Sequence, residues 1–211
     1  MGNLSLVTPE GRLSFPALFV PKGMPGGGEA KFSATILIPK NGREAAEFLA
    51  KAKAAITAEV ESRWPDKSKR PPALKMPIRD GDKAVFESGE NTGGLKKDKY
   101  PEYAGCWVLS SQTKRKPSVI DTAGAQVFEE SKVFAGCWVR LMVHFFAYSN
   151  VNVGVSCGLD NVLFVREDAA FGAGAEPPLS AFAAFLDNNA GGKAAPAGPA
   201  AGVMSDAEIF G

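Results

Sequence analysis

The segment from Cys137 to Tyr148 constrains this chain more than any other. Val139, Leu141, Val143, Phe145 and Ala147 recur at every second position. A helix would scatter these five around its circumference, whereas a strand places all of them on one face. That face therefore points into a core. The opposite face carries Trp138, Arg140, Met142, His144, Phe146 and Tyr148. Apolar patches exposed to water are normally small, so something covers this aromatic face. Three readings stand: a second core under a helix or the C-terminal tail, a subunit interface that would make a homodimer, or a platform on which nucleobases stack.

The rest of the chain supplies the elements around this strand. Phe32, Ala34, Ile36 and Ile38 alternate with Lys31, Ser33 and Thr35, the pattern of a half-buried strand. Asn41 followed by Glu44 reads as an N-cap and capping box. A helix is expected from there to about Arg63, with Ala45, Phe48, Leu49, Ala52, Ile56 and Val60 along its apolar stripe. Residues 1–25 read as strand and loop, punctuated by Pro9, Gly11, Pro16, Pro21 and Pro25. From Trp64 to Tyr103 the chain is irregular and rich in cations, with a short strand expected over Lys83–Glu87. Long loops of this kind in a compact domain are usually functional or disordered. Further strands are expected over 104–113, 118–120, 151–157 and 161–165, the last two split by Gly158-Leu159-Asp160. Asn150 and Gly154 are turn or bulge candidates. One helix among several strands predicts a mainly β fold with one major helix, closed or half-open as a small barrel.

The formal net charge of +1 hides an asymmetry. Residues 1–166 hold 23 Lys and Arg against 17 Asp and Glu, whereas residues 167–211 hold one Lys against six acids. Between Ala169 and Gly202, 23 of 34 residues are Ala, Gly or Pro, which is linker composition. Two units follow: a folded domain over 1–168 and a disordered, acidic Ala/Gly/Pro-rich tail over 169–211. Leu179, Phe182, Ala183 and Leu186 form one short amphipathic piece within the tail.

Several function classes are disfavoured. No run approaches 18 uninterrupted apolar residues, and nothing at the N-terminus reads as an export signal, so neither membrane nor secretion is expected. Cys106, Cys137 and Cys157 are an odd, widely spaced set, which fits a reducing cytosol better than a disulfide framework. His144 is the lone histidine, and the acids are scattered rather than clustered for metal ions. Asp80-Gly81-Asp82 reads as a turn. No phosphate-binding loop or nucleophile elbow is present. Neither an enzyme, nor a metal site, nor a cofactor is expected.

What the residues do offer is stacking and charge. Aromatic side chains accept any base face without reading sequence, and nearby cations neutralise phosphates. The candidate stacking residues are Trp107, Trp138, Phe146, Tyr148, Tyr100 and Tyr103. The candidate phosphate contacts are Lys96, Lys97, Lys99, Lys114, Arg115, Lys116 and Arg140. Which face of the Trp107 strand points inward is open at this stage.

Gly81–Val85, Tyr103–Ser111, Lys114–Asp121, Gly136–Tyr148 and Gly154–Val165 together resemble a family of phage and prophage proteins. That family was first catalogued as a domain of unknown function and then recognised as single-stranded DNA-binding proteins with an OB-type barrel. They are similar in role to the replication ssDNA-binding proteins of T-odd coliphages. The resemblance spans roughly residues 1–168 and implies an OB-fold-like five-stranded barrel. It also implies sequence-independent ssDNA binding in phage replication, recombination or repair, in the bacterial host cytosol. The chain end resembles a second feature of such proteins, an acidic tip with a terminal aromatic: Asp206, Glu208, Ile209 and Phe210. This tip implies phage or host replication and recombination proteins as partners. Two other readings are carried forward: a phage structural or assembly protein that uses the aromatic face as a protein interface, and a strand-annealing protein.

Overall fold

The computed structural model describes residues 5–23, 28–87, 89–150 and 152–172. The acidic tip and the 179–186 piece lie outside them. Eight strands and one long helix form in the described residues: β1 (Leu6–Val7), β2 (Gly11–Lys22), β3 (Lys31–Pro39), α1 (Arg43–Arg63), β4 (Ile78–Asp80), β5 (Cys106–Thr113), β6 (Ser118–Ile120), β7 (Trp138–Ser149) and β8 (Val153–Arg166). A single helical turn, α2 (Lys96–Lys99), precedes β5. No helix among the described residues is long and apolar enough to cross a membrane.

Five strands close a ring. β2 pairs β3, β3 pairs β5 and β7 pairs β8, all antiparallel. β5 meets β8 in parallel at Gln112 and Gly158, and β7 returns to β2 at Val139 and Gly11. The result is a mainly β barrel of the OB-like kind with one main helix packed on it. Closure removes free edges from these strands.

β7 behaves as its alternation predicts at four of the five inward positions; Ala147, near its end, is only half-buried. Val139, Leu141, Val143 and Phe145 are buried in the main core, with Leu13, Ile36, Leu109, Val155 and Val162 from the other strands. Ala45, Phe48, Ala52 and Val60 of α1 bury against the same core. On β3, Phe32, Ala34, Ile36 and Ile38 face inward as expected. Leu37 is also buried, but on the outer side, with Tyr103 and Val108.

Four local expectations are corrected. The N-cap of α1 is Gly42, without a side-chain cap; Asn41 lies one residue too early, and Glu44 instead pairs with Arg140. The short strand forms at Ile78–Asp80, not at Lys83–Glu87, because residues 78–80 pair with β5 while Val85 makes only an isolated bridge to Leu95. Residues 153–166 are one strand, not two. Gly158 does not break it: the His144 imidazole lies across Gly158, and a Cβ there would meet ring atoms at 2.2 and 2.3 Å. Gly154 likewise accepts the close approach of the Lys75 backbone, where a Cβ would sit 2.3 Å from the Lys75 carbonyl oxygen. Finally, the N-terminal region forms a 12-residue strand that passes through both Pro16 and Pro21, with register shifts on either side of Ala17.

The seam of the barrel depends on Thr8. One edge of β7 is shared by β1 and β2, and Thr8 sits, fully buried, between them. Its N–H donates to the Leu141 carbonyl at 2.9 Å, and its hydroxyl accepts the Leu141 N–H at 2.9 Å. Thr8→Val keeps the shape but orphans a buried N–H. It should cost about 1–3 kcal/mol of unfolding free energy in a denaturant titration; a cost near zero would show that the seam does not need this bond.

Candidate nucleic-acid interface

The outer face of β3 and β5 is polar where the inner face is apolar. Ser33 and Thr35 on β3 face Gln112 and Ser110 on β5, and the Thr35 and Ser110 hydroxyls lie 3.2 Å apart. The segment 75–80 walls this surface. Lys75 donates its N–H to Val153 and accepts from Val155, which fixes it to β8. β4 then fixes Arg79 beside Val108 on β5. A groove of about 320 Å³ results, whose lining includes Ser33, Thr35, Lys75, Arg79, Gln112 and Tyr148. Glu87 accepts from Lys75 and pairs with Arg79 at 3.3 and 3.2 Å. Those cations, Arg79 foremost, hold the Glu87 carboxyl below its ordinary value.

At the start of β5 the outer face turns aromatic. Leu37, Val108 and the nearly buried Tyr103 (5% exposed) form a small second core, against which Tyr100 packs. The Tyr100 ring lies 5.8 Å from Tyr103, 6.1 Å from Phe86 and 5.3 Å edge-on from Phe15. Lys96 and Lys99 set their ammonium groups over the Phe86 ring at 5.8 and 5.9 Å. Burial, and then Arg79, lowers the Lys96 pKa. Rings and cations are therefore interleaved in space as well as in sequence. At the other end, β5 leads into the turn of Lys114, Arg115 and Lys116. Lys114 pairs with Glu29, while Arg115 and Lys116 are exposed and have no ion pair among the described residues.

The remaining candidates sit elsewhere. Trp107 shares its face with the buried Leu109 and Ser111, so its ring packs partly into the main core. Lys40 caps that ring at 5.1 Å. Trp138 donates its indole N–H to Asp168 at 2.7 Å, with Arg166 over the ring at 4.3 Å. Arg140 is held between Glu10 and Glu44 at 3.2 and 2.9 Å. Phe146 lies beside His144, which pairs with Asp160 at 2.9 Å. Of the outward β7 residues, Tyr148 reaches the groove. Lys97, within α2, is half-buried. Phe15, Phe86, Lys75 and Arg79 were not picked out as candidates from the sequence. Nothing local marks Phe15 or Phe86 as a stacking residue rather than a strand residue, and the latter two belong to a segment whose fixation by β5 and β8 is non-local.

No group of three or more His, Cys, Asp or Glu that could hold a metal occurs among the described residues. Burial pushes the Cys137 thiol up to about 11 and raises the Cys157 thiol as well, which favours the protonated form of both.

With this geometry in view, residues 4–191 match the family described as Enterobacter phage Enc34, ssDNA-binding protein. The chain belongs to that family. A 30% identical relative, putative protein p50 of Acyrthosiphon pisum secondary endosymbiont phage 1, aligns over 81% of this chain and 88% of its own length. Among solved structures, the Enc34 single-stranded DNA-binding protein in complex with ssDNA superposes with a TM-score of 0.66. It is 24% identical, and 80% of this chain and 89% of that one are covered. The bacteriophage T7 single-stranded DNA-binding protein gp2.5 superposes with a TM-score of 0.54 at 15% identity, over 83% and 99% of the two chains. The barrel fold is thus shared with both of these solved proteins.

The Asp80-Gly81-Asp82 turn clamps Lys40, whose ammonium reaches Asp80 at 2.5 Å and Asp82 at 2.6 Å. Hydrogen bonds from Lys40 are the main reason both carboxyls are held below 3.8, and bonds to the two carboxylates raise Lys40 above 10.5. The carboxylates' share of stability is complete above the ordinary value and is lost as pH falls through their lowered values. The lysine's share is complete below 10.5 and is lost as pH rises through its raised value. Lys40→Met should therefore flatten the fall of Tm below about pH 4. An unchanged acid limb would show that the clamp contributes nothing.

Proposed function

We propose that this protein binds single-stranded DNA without sequence preference, along the outer face of β3 and β5. The observation that carries the reading is the order of surfaces along β5. An aromatic cluster with lysines over its rings opens the path, a polar groove walled by Lys75 and Arg79 continues it, and the free cations Arg115 and Lys116 close it. Eight strand residues span about 27 Å. That length suits the low end of the roughly 4–16 nucleotides that one OB barrel holds. Membership of the Enc34 family and the likeness to a barrel solved with ssDNA support the same reading.

Within this proposal Tyr100, Phe86 and Tyr148 stack bases. Lys96, Lys99, Lys114, Arg115, Lys116 and Arg79 meet phosphates, with Lys97 at their margin. Tyr103 holds Tyr100 in place from beneath. Trp107 supports β5 from the core side, Trp138 and Arg140 stabilise the start of β7 through the contacts described above, and Phe146 packs beside His144 nearer its other end. The protein acts without catalysis or cofactor in phage replication, recombination and repair in the host cytosol. Its acidic tip, Asp206, Glu208, Ile209 and Phe210, recruits replication proteins.

The reading is tested by fluorescence anisotropy of labelled oligo(dT), against a duplex of equal length, over a range of salt. Arg115→Ala should weaken binding and reduce the slope of log K against log salt by about 0.7. Tyr100→Ala should cost about 1–3 kcal/mol with the slope unchanged. Absence of oligo(dT) binding by the intact chain would overturn the proposal and leave the outer face as a protein interface.

A further inference from the structure

Phe15 is the one non-glycine residue with positive φ among the described residues, at 46°. It lies inside β2, where an extended conformation would be expected, and it precedes Pro16. L-residues avoid this region because Cβ crowds the following carbonyl. Phenylalanine gains nothing there that glycine or asparagine would not provide more comfortably. The effect is to turn the ring outward: it is 54% exposed although Leu13, Ser14, Ala17 and Leu18 around it are buried. A strained backbone that leaves a large apolar ring half exposed, touching Tyr100 edge-on, is an observation that asks for a function.

The ring lines a pocket of about 590 Å³, within the range of small-ligand sites. Tyr100, Pro101, Phe134 and Phe171 give it an apolar lining. Its charged residues are Lys22 and Lys99 on one side of the balance and Glu102 and Glu130 on the other. A phosphate site would carry a net positive charge, and this pocket does not. Its lining suits the face of a flat, neutral, aromatic group. Arg12 stacks on Phe171 at 4.3 Å, and the Phe171 N–H donates to the Ala135 carbonyl at 2.9 Å, so the far wall is fixed. Tyr100 is shared between this pocket and the aromatic cluster at the head of β5.

We infer that the pocket lined by Phe15 and Tyr100 takes one nucleobase turned out of the strand, with Phe15 as its stacking partner. The inference rests on the ssDNA reading above and deepens it. The lysines beside the cluster hold the backbone on either side of that base, while the pocket itself holds the base by its faces. Binding energy from Phe15 is therefore independent of salt.

The test uses the full chain with labelled oligo(dT) and a parallel thermal melt. Phe15→Gly relieves the backbone and removes the ring. Its Tm should be equal to or above the parent's, its affinity should fall about tenfold, and the salt slope should not move. Phe15→Leu keeps apolar bulk and the strained backbone but has no π face; it should lose affinity to a similar extent while it melts like the parent. Parent-like affinity in either variant would overturn the inference. So would a loss of affinity that tracks a loss of Tm in Phe15→Leu, since that marks a purely structural ring. Failure of the parent chain to bind oligo(dT) would instead overturn the ssDNA reading itself.

Discussion

The pairing of β7 along both of its edges is the constraint on which the rest of this structure depends. β8 runs along one edge for nearly the whole strand, and β1 and β2 divide the other. Thr8 bridges the gap between those two with a pair of hydrogen bonds to Leu141. An open sheet of this size would leave unpaired backbone and only one covered face. Because β7 closes the ring, its apolar side becomes the core. The outer faces of β3 and β5 are then free to be polar, with serine, threonine and glutamine where the inner faces carry isoleucine and leucine.

Closure also explains why a largely irregular segment, residues 64–103, is well placed. β5 and β8 touch in parallel at one point. Segment 75–80 joins both strands, through the Lys75–Gly154 bridge and the pairing of β4 with β5. The rest of the segment then folds back to set Tyr100 over the outer core of Leu37, Tyr103 and Val108, with Phe86 beside Tyr100 and Lys96 over the Phe86 ring. Small residues make these approaches feasible: at Gly81 a Cβ would fall 2.1 Å from the Tyr103 carbonyl oxygen. The site is thus built on rigid strands, with its mobile chemistry, lysine and arginine side chains, around the rim.

Much of the fold was legible because it rests on local periodicity. β3, β5, β6, β7 and the stripe of α1 all follow from two- and 3.6-residue patterns. What was illegible depended on contacts distant in sequence. Gly158 reads as a break because the sequence does not reveal the His144 ring that needs its space. The burial of Leu37 was likewise hidden, because the small core outside the barrel that it joins is made by Tyr103 and Val108. In the candidate site, the theme of cations among aromatics in 96–103 was visible. The partners that give it depth, Phe15 and Phe86, were not, since nothing in the local sequence of either distinguishes a stacking ring from an ordinary strand residue. Charge partners were equally hidden: nothing in the local sequence of Arg140 places Glu10 and Glu44 around it.

The central claim is that one outer face of the barrel, from Phe15 and Tyr100 across the β3–β5 groove to Arg115, is the DNA path. Amide chemical-shift mapping on titration with oligo(dT) tests it most directly. The account predicts that shifts concentrate in Ser33–Leu37, Lys75–Arg79, Lys96–Tyr103 and Ser110–Lys116, with α1 and the Trp138–Arg140 end of β7 unmoved. Shifts confined to α1 and the start of β7 would contradict it.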